Sequence, residues 1–154
     1  MKAQIWSFDF AVSFFIFFLA LVPMLFLWNY VNVQQLDQRY LDEIQIKALD
    51  VSDSLVRTAG VPADWNATTV RSVGLADEEN VLNATKVNYL LSMNYNTLKS
   101  IMTDEHDFSL TITDLNGTVY GNIGISPANE TAVPVVRYAN YNERIVSVKL
   151  VLLS

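Results

Sequence analysis

From Phe10 to Trp28 the chain reads FAVSFFIFFLALVPMLFLW, nineteen residues without a charge. As an α-helix this run is about 28 Å long at roughly 1.5 Å per residue, enough to cross the hydrocarbon of a bilayer. Only Ser13 and Pro23 interrupt its apolar character. A backbone amide inside lipid has no water to bond, so a lone span must be helical. Trp28 and Tyr30 close the run with amphipathic rings of the kind that favour a membrane–water boundary. Lys2 and the terminal amine precede it, and Asp37, Asp42 and Glu43 follow. The positive-inside bias then places the N-terminus in the cytoplasm and everything beyond Tyr30 outside the cell.

Two other readings of this run are weaker. A cleaved secretory signal ends a short apolar core on small residues, whereas this one continues past Ala20 through Met24, Leu25, Phe26 and Leu27. A soluble buried helix needs a partner core that the rest of a 154-residue chain is too small to supply. The segment is therefore read as a retained single-pass anchor. Pro23 removes one helical hydrogen bond and is expected to kink the helix. Asp9, at the mouth of the run, has two readings. It is either a first-turn residue favoured by the helix dipole, or an acid that a neighbouring chain's amine neutralises when copies of the helix pack together.

Composition narrows the function. The acidic balance, net charge -6 and pI near 4.6, excludes the basic face that a nucleic-acid binder needs. The absence of cysteine excludes disulfides, thiolate metal sites and a cysteine nucleophile.

The helix is expected to continue in water. No glycine or proline occurs from Val33 to Arg57, and Leu36, Tyr40, Ile44, Ala48, Val51 and Leu55 recur on one helical face. Glu43 with Lys47 and Asp53 with Arg57 are spaced for pairing along the helix. Gly60 and Pro62 stop it. Residues 61–80 then read as irregular, with one helical turn near Thr68 to Val73 and Trp65 as a packing plug. Ala84 to Met102 reads as short helices broken near Asn94. From Phe108 the apolar period becomes two, giving a half-buried strand to Thr113. Asn116-Gly117 signals a type I′ hairpin turn. A return strand at Thr118 to Ile123, a loop through Pro127, and strands at Ala132 to Tyr141 and Arg144 to Leu153 complete an antiparallel sheet of about four strands.

Little in the chain points to catalysis. The single histidine lies in Asp104-Glu105-His106-Asp107, a polar run read as a solvated loop, because adjacent ligands on one short loop rarely converge on one ion. Asp77-Glu78-Glu79 reads as a solvated turn. No phosphate loop, zincin helix or nucleophile elbow is present. The chain is read as a non-enzyme with no cofactor and no metal. Four Asn-x-Ser/Thr sequons, at Asn66, Asn83, Asn116 and Asn129, all follow the span, on the side expected to be extracellular. Thirteen asparagines would give about two by chance. The excess marks the four as glycan acceptor candidates, and the chain as a candidate cell-surface glycoprotein.

Lys2-Ala3-Gln4, followed by Ile5, Trp6, Ser7, Phe8 and Asp9 and then the apolar run, resembles an archaeal class III signal peptide of type IV pilin-like proteins. Gly60, Pro62, Trp65, Val73, Gly74 and Leu75 resemble a loop pattern of the same relatives. The resemblance implies cleavage between Ala3 and Gln4 by a prepilin-type peptidase, with the helix kept on the mature chain. It further implies an assembly role for Asp9 and Pro23, and packing of the helix among copies of itself or other pilin-like subunits.

The combined expectation is an α+β, pilin-like chain. It has a leader at 1–3, a transmembrane and assembly helix at 4–31, its extracytoplasmic continuation at 32–59, and a head domain at 60–154. Its expected job is to be a major or minor subunit of a type IV pilus-like surface filament, anchored in the lipid bilayer before assembly. The competing expectation is a single-pass extracellular sensor or binding module that does not polymerise.

Overall fold

The computed structural model describes residues 2–104, 106–126 and 131–153, and the side chains of 2–7 and 33–38 lie outside that description. The chain is α+β. Helix α1 spans Lys2–Arg57 and carries Pro23 within it. It is followed by β1 (Ala76–Glu78), β2 (Val81–Leu82), α2 (Ala84–Ser92) and α3 (Tyr95–Met102). Strands β3 (Phe108–Asp114), β4 (Val119–Gly124), β5 (Ala132–Tyr141) and β6 (Arg144–Leu153) complete the chain. It divides into two compact units, Met1–Leu41 and Asp42–Ser154.

In the first unit the apolar side chains from Phe8 to Val31 face outward, Phe10 at 72% and Trp28 at 68% exposure. Phe14 stands between Phe10 and Phe18, with ring centroids 6.1 Å and 4.7 Å away, as four-residue spacing on a helix requires.

In the second unit the expected stripe of α1 is buried from Ile44 onward. Ile44, Ala48 and Leu55 are fully enclosed and Val51 is half-buried, while Tyr40 is exposed and the side chain of Leu36 lies outside the described residues. Ser52 and Val56 join them. Ser52 is tolerated inside because its hydroxyl donates to the Leu49 carbonyl at 2.9 Å.

The sheet is six-stranded and mixed, in the order β1-β2-β5-β6-β3-β4, rather than a four-stranded antiparallel one. The four expected strands are all present, and β3 alternates buried and half-buried along its whole length. The additions are β1 and β2, of three and two residues, with β2 parallel to β5 at the Val81–Asn140 pair. Strands this short carry no readable period. They form because the Asn80 carbonyl accepts from the Asn140 amide at 2.7 Å. Where a helical turn was expected near Thr68, the chain instead makes a turn and a bridge between Val61 and Ser72.

The tip of the β3–β4 hairpin departs from the expected type I′ turn. At Asn116-Gly117 only Gly117 has positive φ, +89°. The Gly117 amide donates to the Asp114 carbonyl at 3.1 Å and the Asp114 amide to the Thr118 carbonyl at 3.0 Å. This is a three-residue loop with glycine in the left-handed position, not a type I′ turn. The type I′ signature, two successive positive φ angles, occurs instead at Asn142 and Glu143.

Candidate functional site

Of the described helices, one segment, Phe8–Asn32, is long and apolar enough to cross a membrane. None of its side chains is buried within the chain. A continuous apolar surface of this extent marks contact with lipid or another protein. Asp9 is exposed at its start. Helix α1 begins at Lys2, so Asp9 lies about two turns in, beyond the first turn where the helix dipole favours an acid. Ala3 and Gln4 are helical, with side chains outside the described residues.

The loop pattern of Gly60 to Leu75 is a packing joint. The last carbonyls of an α-helix lack partners within it, and here later residues supply them. Leu55 accepts from the Leu75 amide (2.9 Å), Val56 from Asn80 (2.9 Å) and Thr58 from Ala76 (3.0 Å). The Ala59 carbonyl accepts from both the Trp65 indole and the Lys86 ammonium, each at 3.0 Å. Trp65 is 1% exposed and also donates to the Gly74 carbonyl at 2.8 Å. A Cβ on Gly74 would fall 2.4 Å from the Thr58 carbonyl and the Gly60 amide, which requires glycine there.

Sequence reasoning missed Lys86. It is buried, and its ammonium donates to the Ala59 and Ala76 carbonyls at 3.0 and 3.1 Å, a cation at a helix C-terminus. Nothing local distinguishes it from a solvated helix lysine.

The polar run around His106 is divided rather than convergent. Lys47 donates to the exposed Asp104 carboxylate, and that hydrogen bond holds its pKa below the usual range. Asp107 accepts from Lys99 (2.7 Å) and the Tyr95 hydroxyl (2.8 Å), which depress its pKa in that order. Glu105 lies outside the described residues. Among the described residues no group of three or more histidines and acids is placed to hold a metal ion.

The sequons differ in what their amides do. Asn83 caps α2: its Oδ1 accepts from the Lys86 amide at 3.0 Å, and its Nδ2 donates to both Asp77 carboxylate oxygens at 2.8 and 2.9 Å. Asn66 is half-buried beside Trp65, and its Oδ1 accepts from the Thr68 amide and hydroxyl and the Thr69 amide. Asn116 is exposed at the tip of the β3–β4 hairpin, where its backbone amide donates to Asp114 Oδ1 at 2.8 Å. Asp114 is itself held low in pKa, first by the Thr118 backbone amide. Asn129 lies outside the described residues.

No protein family, curated protein or solved structure matches the chain.

Proposed function

We propose that this chain is a structural subunit of a type IV pilus-like surface filament, held in the membrane by α1 before assembly. The observation that carries the reading is the fully outward-facing apolar surface of Phe8–Asn32 on a chain whose remaining residues close their own core. Each large apolar side chain moved out of water is worth about 1.5–3 kcal/mol. Over this many side chains the segment is driven into lipid or against other copies of itself. A long apolar helix followed by an independently packed sheet is consistent with a pilin-like architecture. The class III-like sequence around Ala3-Gln4 supports processing by a prepilin-type peptidase, and the charge bias supports an extracellular head. The role is structural rather than catalytic.

Mass spectrometry of the natural N-terminus tests this. A mature chain beginning at Gln4 is expected. A chain that still begins at Met1 or Lys2 would overturn the filament reading in favour of an unprocessed, non-polymerising anchor that presents its head to a ligand.

A further inference from the structure

We propose that Asn116 is the N-glycan acceptor among the described sequons, and that Asn83 stays unmodified because its amide is a structural part of the fold. The proposal rests on the head lying outside the membrane.

Transfer of a glycan needs the asparagine amide nitrogen itself. Nδ2 attacks the anomeric carbon of a lipid-phosphate-linked oligosaccharide. The bond from that carbon to the phosphate oxygen breaks, with its electron pair leaving on the phosphate, and the carbon–nitrogen bond forms. The amide loses one proton to a base of the transferase. An acceptor must therefore present an amide whose donors are not already committed, on backbone that an enzyme can reach.

Asn83 fails the first condition. Its Nδ2 is committed to the Asp77 carboxylate, donating to both oxygens, and its oxygen holds the first turn of α2. A sugar on Nδ2 would replace at least one of those donors and push Asp77 away from the cap. Asn66 is half-buried next to the enclosed Trp65, and the hydroxyl of its own sequon, Thr68, donates to Asn66 Oδ1 at 2.7 Å.

Asn116 meets both conditions. Residues 115–119 are all exposed, and the Asn116 side-chain amide makes no hydrogen bond to the described residues. The loop is set by backbone bonds and by Asp114, so the Asn116 side chain holds no part of the turn. A Cβ at Gly117 would meet nothing within 4 Å, so the space beside the acceptor is open. The hairpin also ends at β4, the terminal strand of the sheet, where no further strand stands over it. A glycan at this tip would stand beside Leu115 and Val119, which are 70% and 57% exposed.

The test is site occupancy by glycopeptide mass spectrometry on the full-length chain, purified from membranes of cells with an active N-glycosylation pathway. Protease accessibility of the head on the intact cells is measured in parallel. The expected result is a glycan on the Asn116 peptide, an unmodified Asn83 peptide, and loss of that glycan mass in Asn116→Gln with the folded head retained. A glycan on Asn83, or an unmodified Asn116 on a head that protease reaches, would overturn the proposal alone. An unmodified chain whose head protease cannot reach would overturn the extracellular placement, and the proposal with it.

Discussion

Asn142 and Glu143 hold φ angles of 51° and 63°, so the turn between β5 and β6 is built on left-handed backbone at two consecutive residues. Asparagine adopts this region with little penalty, whereas a glutamate Cβ crowds the neighbouring carbonyl. The register leaves no alternative, because Tyr141 pairs with Arg144 and only two residues remain to reverse the chain. Glu143 is exposed. Glu143→Gly is therefore expected to raise the stability of the head by up to about 1 kcal/mol, the relief of strain exceeding the added freedom of the unfolded chain. Urea denaturation followed by tryptophan fluorescence measures it; a loss of stability would show that the turn is not strained. The two asparagine sequons at Asn83 and Asn116 are identical in pattern, yet one amide is locked to Asp77 and the other faces solvent. Nothing in a three-residue motif encodes that difference.

At the scale of elements, α1 is held to the head by partners far along the chain. The spacing of Glu43 with Lys47 and Asp53 with Arg57 suits pairing along the helix, but the observed partners lie elsewhere. Lys47 pairs with Asp104, Asp53 with Arg137 at 2.7 Å, and Arg57 with Glu79 at 3.6 Å. Exposed pairs within one helix are worth only about 0.3–0.5 kcal/mol, so tertiary geometry easily redirects them. The helix end depends more on Lys86. Lys86→Met keeps the aliphatic stem but leaves the Ala59 and Ala76 carbonyls without that donor. The expected cost is about 1–3 kcal/mol, with the same midpoint shift by fluorescence and by far-ultraviolet circular dichroism. An unchanged midpoint would mean that the ammonium contributes nothing net to the joint. The period-two strand from Phe108 and the break near Asn94 were legible because each depends on its own few residues. The β1–β2 pair was not, since strands of three and two residues carry no readable period.

For the whole molecule, the two units differ in what they bury. Residues 42–153 enclose Trp65, Phe108, Leu110 and Leu150 as a water-stable core. The apolar segment of the first unit, Phe8–Asn32, buries none of its side chains and is long and apolar enough to cross a membrane. Asp9 stands at the start of that surface, two turns into α1, where an unpaired carboxylate is tolerated near lipid headgroups but is costly once buried among helices. Asp9→Ala is expected to insert into membranes normally and to assemble poorly. Counting surface filaments by electron microscopy, with membrane fractionation alongside, checks both halves. Filaments of normal number and length would remove Asp9 from assembly.

An unbroken run of apolar residues long enough to cross a bilayer dictates a helix when it lies alone in lipid, because its backbone amides can then bond only within the segment. Alternation at Phe108–Asp114 likewise dictates a strand, because one face must leave water. These features follow from neighbours in the chain and were readable from residues alone. The mixed sheet order, the glycines packed at Gly60 and Gly74, the buried ammonium of Lys86 and the commitment of the Asn83 amide to Asp77 follow from contacts between segments. Such contacts are chosen by which groups the completed core brings within bonding distance, and no local pattern carries that information.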